Sequence, residues 1–147
     1  MFKKTLTLLT VAALSIGLSS GAQASVVTKL AVSATGANES AGSGAMSGSA
    51  SGTFILNSAK GTICATIKTK GLAGVVASHI HKGAKGVDGG VAVPFSTAKF
   101  NTGGKTCVKV AAAVLSDIEM NPSMYYFNVH SKAYSNGAVR GQLRKSK

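Results

Sequence analysis

Tyr125-Tyr126-Phe127-Asn128-Val129-His130, followed after a short gap by Ala138-Val139-Arg140-Gly141-Gln142-Leu143, decides the fold of this chain. In the first string Tyr125, Phe127 and Val129 fall on one side of an extended chain and Tyr126, Asn128 and His130 on the other, the alternation of a half-buried strand. Asn136-Gly137, just before the second string, is a hairpin turn signal. A two-residue turn there sets His130 opposite Leu143 and puts Val139 and Leu143 on the polar side, which wastes both. A bulge or a longer loop shifts the pairing by one, returns them to the side of Phe127 and Val129, and turns Arg140 and Gln142 toward His130. The irregular hairpin is therefore expected, and with it a polar cluster of Asn128, His130, Arg140 and Gln142.

Working outward, similar short runs separated by glycine clusters occupy Val26 to Ser33, Gly52 to Leu56, Thr62 to Thr69, Val75 to His81, Val91 to Phe95 and Thr106 to Val110. With Met124 to His130 and Ala138 to Arg144 they predict an all-β domain, an antiparallel β-sandwich of about eight strands, immunoglobulin-like or superoxide-dismutase-like. Ala111 to Met120 is the exception. Val114, Leu115 and Ile118 are spaced for one helical face, Asp117 and Glu119 lie outside it, and Asn121-Pro122 stops it, so one short helix is expected. The Gly, Ser and Ala tract from Gly36 to Gly52 has too little bulk for a core and reads as a loop and the thin start of a strand. Gly83 to Gly90 lacks the Gly-Lys-Ser/Thr ending of a phosphate loop.

At the N-terminus, Lys3-Lys4, the apolar run Thr5 to Leu18 and Ala22-Gln23-Ala24 predict a signal peptide over residues 1–24, cleaved after Ala24. The mature chain, residues 25–147, is then one exported domain, periplasmic or secreted, without a membrane span. With Lys3 and Lys4 removed from the 16 basic residues, 14 face four acidic ones, a formal charge of +10. Nucleic acid is a poor counterpart for an exported chain with few aromatics and singly spaced lysines. An anionic polysaccharide or envelope surface suits the charge better. Cys64 and Cys107, the only two cysteines, are expected to pair in an oxidising compartment. That disulfide closes a 43-residue separation and is worth roughly 4 kcal/mol in the chain-entropy model.

Several strings together resemble the CHRD (chordin) domain family: Gly36-Ala37-Asn38-Glu39, then Ser78-His79-Ile80-His81-Lys82-Gly83 with Gly86 and Gly89, then Tyr126 to His130 and Gly137 to Leu143, covering about Leu30 to Leu143. The resemblance implies an extracytoplasmic β domain, since the family is found in chordin, an extracellular growth-factor antagonist, and in single-domain exported bacterial proteins. It carries no catalytic activity with it. Ser40-Ala41-Gly42-Ser43-Gly44 stands where the family commonly continues with prolines, which leaves the shape of that loop open.

All three histidines lie in these strings. His79 and His81, two apart on a strand, project from one face with Ala77, and if the strand of His130 is its neighbour a three-histidine copper or zinc site forms. Against this, histidines and an arginine in a polar cluster also pin strand ends by bonding loop carbonyls, and the charge of Arg140 opposes a metal ion. Asp88 either orients a histidine or serves as a turn residue before Gly89-Gly90. His-x-His on a β-sandwich is similar to the copper-zinc superoxide dismutases, but a two-metal site needs more histidines than three. No Gly-x-Ser-x-Gly elbow is present, and Glu39, Asp88, Asp117 and Glu119 show no spacing suited to acid-base work. The expectation is a non-enzymatic binding or envelope-associated module without a cofactor. Its rival is a copper- or zinc-binding protein, redox-active or not, built on His79, His81 and His130.

Overall fold

Each alternating run becomes a strand in the computed structural model, which describes residues 27–146 and so leaves the expected signal peptide outside the described residues. The chain forms β1 (Val27–Thr35), β2 (Ser49–Asn57), β3 (Thr62–Lys70), β4 (Val75–Lys82), β5 (Val91–Phe95) and β6 (Thr106–Lys109). Then come α1 (Ala112–Met120), β7 (Tyr125–Ser131), β8 (Val139–Gln142) and β9 (Arg144–Lys145). The expected last strand is split at Leu143, because β8 pairs with β7 whereas Arg144 and Lys145 pair with Ala31 and Leu30 of β1.

All pairings are antiparallel, and the strands run β5-β4-β7-β8-β1-β2-β3-β6 in one hydrogen-bonded path. The pairing does not divide into the two sheets of an immunoglobulin-like sandwich. The single sheet curls until β5 and β6 come within 8 Å of each other, which makes it nearly barrel-shaped. Its inner face holds Leu30, Phe54, Leu56, Ile63, Ile67, Ile80, Phe127, Val129 and Val139, and α1 adds Leu115 and Ile118. Phe54 anchors this core, its ring centroid 5.8 Å from Phe95 and 5.3 Å from Phe127. Each such side chain contributes roughly 1.5–3 kcal/mol by leaving water. Cys64 and Cys107 sit directly opposite on β3 and β6 and form the expected disulfide.

The β7–β8 hairpin is irregular, as the apolar pattern requires. Val129 pairs with Val139 and Asn128 with Arg140, so the connection is a longer loop over residues 132–138. Val139 and Leu143 are thereby buried with Phe127 and Val129. Directly opposed residues share a face, so the registers define one row across the outer surface: His79, Asn128, Arg140, Thr35, Ser49 and Lys70. The polar residues of the two deciding strings therefore lie outside the apolar core, and loops cover them.

One cover is the Gly, Ser and Ala tract, whose lack of bulk proves to be a packing requirement. It makes short 3-10 turns at Gly36–Asn38 and Ser40–Gly42, and a Cβ on Gly36 or Gly44 would lie 2.1 or 2.3 Å from backbone of the opposite limb. The other cover is the glycine-rich segment 83–90. Together they turn an exposed sheet face into a walled site.

Candidate functional site

His79 and His81 rise from the outer face of β4, and β7 lies next to it with His130 opposite Ala77. One ring nitrogen from each of the three histidines falls within 4.8 Å of the other two. His79 Nδ1 is 3.2 Å from His130 Nε2. The remaining nitrogens are oriented by backbone: His81 Nδ1 donates to Gly89 O at 3.0 Å, and His130 Nδ1 donates to Ser135 O at 2.8 Å. Those two bonds place the protons on Nδ1 and the lone pairs on Nε2 of both rings. His130 Nε2 accepts from His79, but His81 Nε2 is buried and has no partner among the described residues.

The electrostatics favour the neutral form of His79 and His81. Burial, then the proximity of His130 and His81, holds His79 below the usual imidazole range. Burial also lowers His81, opposed by its bond to Gly89 and reinforced by His130 and Arg140. A neutral imidazole is the form that donates a lone pair.

Tyr126 supports this group from the strand between β4 and β8. Its ring stacks on His81 with centroids 4.8 Å apart and planes 3° from parallel, and its Oη accepts from the Gly89 N–H at 3.2 Å. The Arg140 guanidinium carbon lies 3.5 Å from the same ring's centroid. Arg140 is only 2 % exposed, and its fork is consumed by the covering loop: Asp88 Oδ1 at 2.8 Å, Ala84 O at 3.1 Å and Val87 O at 2.5 Å. Its charge is thus answered by Asp88, and Tyr126 is stacked between it and His81.

The expected polar cluster is partly divided. Asn128 and Arg140 are opposite each other, but Gln142 lies opposite Tyr126 and donates to Gly83 O and Ser123 O, away from His130. Asp88 makes no hydrogen bond to a histidine ring. It takes bonds from Arg140 and from Ser40 Oγ, joining the two covering loops. This departs from the reading of Asp88 as a histidine orienter, and the role falls instead to the carbonyls of Gly89 and Ser135, which no side-chain motif announces.

Glu39 is a residue of this cleft that the candidate set drawn from sequence left out. It lies 8 % exposed beneath the first loop and accepts from Asn128 Nδ2 at 2.5 Å. Burial pushes its carboxyl up to about 7, against the opposing pull of Arg140 and of the Asn128 bond. Gly137, at φ 143°, admits it, since a Cβ there would stand 2.7 Å from the Glu39 carboxylate. The signal was present in two strings read separately, Gly36 to Glu39 and Gly137 to Leu143. Glu39, His81, Asp88, Tyr126, Asn128 and His130 face a common cleft of about 420 Å³.

Comparison with known proteins places this geometry on a named scaffold. The family model described as the CHRD domain matches residues 30–143. No curated protein and no solved structure matches the chain significantly.

Proposed function

We propose, for a chain that belongs to the CHRD domain family, that its outer face holds one transition-metal ion, copper or zinc, on His79, His81 and His130. The observation that carries this is the buried, unpartnered Nε2 of His81 within the converging ring nitrogens. If the rings served only to pin strand ends, their polar atoms would be satisfied by the fold. Instead, one nitrogen each of His81 and His130 is tied to a carbonyl, while Nε2 of His81 is left without a partner among the described residues and Nε2 of His130 meets only the ring of His79. Carbonyls that fix the tautomer of a ring while freeing its other nitrogen are the usual support of metal-ligating histidines.

The spacing is suited to this. A tetrahedral ion with bonds of about 2.0 Å separates its ligands by about 3.3 Å, and His79 and His130 already stand at 3.2 Å. Three nitrogen ligands would leave a tetrahedral ion one further position, and two of the three, His81 and His130, line the cleft. The converging ring nitrogens support metal holding as the role proposed here, beside the binding module expected first from sequence, and no catalytic step is assigned. Export is part of the reading: the disulfide suits an oxidising compartment, and among the described residues no helix is long and apolar enough to cross a membrane.

The test is calorimetric titration of chelator-treated, dialysed protein with zinc and, separately, with copper. One ion per chain is expected, and His79→Ala, His81→Ala and His130→Ala are each expected to weaken binding by about 10–100-fold or more with the β-sheet spectrum retained. Sub-stoichiometric binding, or binding indifferent to all three replacements, refutes the proposal.

A further inference from the structure

We infer that a second, separate surface, the outer face of β1, β2, β3 and β9, docks a linear acidic polysaccharide. The registers place three outward rows there: Arg144, Ala31, Thr53 and Thr66; then Ser33, Ser51 and Lys68; then Ser49 and Lys70. Lys29 extends the face along β1, where its neighbour Leu30 points into the core. Between Lys68 and Arg144 runs a shallow groove of about 360 Å³, lined by the hydroxyls of Ser33, Ser51, Thr53 and Thr66 together with Ala31, Val32 and Gly52.

Three features give this groove its partner. Lys29, Lys68, Lys70 and Arg144 are exposed and have no ion-pair partner among the described residues, where the two ion pairs are Lys82 with Asp117 and Arg140 with Asp88. The four acidic residues of the whole chain lie elsewhere, Glu39 and Asp88 at the histidine cleft and Asp117 and Glu119 on α1. The face is therefore cationic without a compensating charge and attracts anions over a Debye length. Second, its floor is hydroxyl-bearing, and such groups exchange hydrogen bonds with sugar hydroxyls in both directions. Third, the cations frame the groove instead of forming a point: Lys68 and Lys70 are about 7 Å apart along β3, and β9 is three strand spacings away, about 15 Å. That outline fits a chain bearing repeated carboxylates or sulfates.

A lipid surface and a nucleic acid fit less well. Of the large exposed apolar side chains, only Val27 belongs to these strands, so nothing is arrayed for insertion into a bilayer. No aromatic ring stands on the face to stack on bases.

Binding of the purified protein to alginate and to dextran sulfate, with neutral dextran and phosphatidylglycerol vesicles alongside, tests the inference at low and moderate salt. The double variant Lys68→Glu/Arg144→Glu is compared with Lys99→Glu/Lys132→Glu, which makes the same charge change away from the groove. The first pair is expected to lose affinity for the acidic polysaccharides by about tenfold or more, the second far less, and added salt to weaken binding in every case. Chelator treatment is expected to leave this binding unchanged, which separates it from the metal reading. Equal losses in the two double variants, binding that ignores salt, or tighter binding to vesicles than to the polysaccharides overturns it.

Discussion

His79 Nδ1 and His130 Nε2 stand 3.2 Å apart across the seam of β4 and β7, sharing one proton between two rings. A metal ion replaces that proton. Because burial and mutual proximity lower His79, and burial lowers His81, both rings are neutral at pH 7 and stay so below the ordinary imidazole value. Protonation of His79 and His81 is therefore expected to compete with the metal only below the ordinary value of 6.5. A titration of zinc affinity between pH 5 and pH 8 checks this, and a midpoint of loss above 6.5 contradicts it.

Gly89 is required by close approach. A Cβ there would lie 1.6 Å from Lys82 O, so Gly89→Ala displaces the carbonyl that orients His81. The expected result is metal affinity lowered by about 10–100-fold, with the core intact by near-ultraviolet dichroism.

Glu39 gives the metal-free protein a distinctive pH dependence. Its folded pKa of about 7 exceeds the ordinary 4.5, so the folded state holds the proton more tightly. The stability this supplies is complete below about 4.5 and is lost as pH rises through about 7. Glu39→Gln keeps an acceptor for Asn128 and removes the titration. The difference in urea stability between variant and parent is expected to grow in the variant's favour from pH 4.5 to pH 8, by on the order of 1–3 kcal/mol. A difference independent of pH contradicts the assignment.

Arg140→Lys keeps the charge and loses the fork that holds Asp88, Ala84 O and Val87 O together. A single ammonium leaves at least one of these bonds unmade. The expected cost is about 1–3 kcal/mol in urea unfolding, together with faster hydrogen exchange across residues 83–90.

Reduction of the Cys64–Cys107 disulfide, or its replacement by serine, is expected to cost roughly 2–4 kcal/mol, since it links β3 to the last strand of the path. Metal stoichiometry should not change, because the disulfide lies strands away from the histidines.

Much of this was legible in the sequence, and the reasons are local. Strand positions followed from alternation, the helix from the spacing of Val114, Leu115 and Ile118, and the face of the β7–β8 hairpin from the apolar demand of Val139 and Leu143. The closure of the sheet was not legible, because whether eight runs make two sheets or one curled sheet depends on long-range partners such as β8 with β1, which no window of residues records. The same limit applies to the site. The three histidines were evident as residue types, whereas the carbonyls of Gly89 and Ser135 that orient them carry no side-chain signature. Glu39 meets Asn128 across 89 residues of chain, and only the packed loop reveals the pairing.

Anomalous diffraction at the metal edge, from crystals of the protein loaded with zinc or copper, tests the central claim most directly. The account predicts one peak per chain about 2.0 Å from a ring nitrogen of each of His79, His81 and His130, with the Nδ1 bonds of His81 to Gly89 and of His130 to Ser135 preserved. A loaded crystal with no peak among these rings, or with the metal held by other residues, would contradict it.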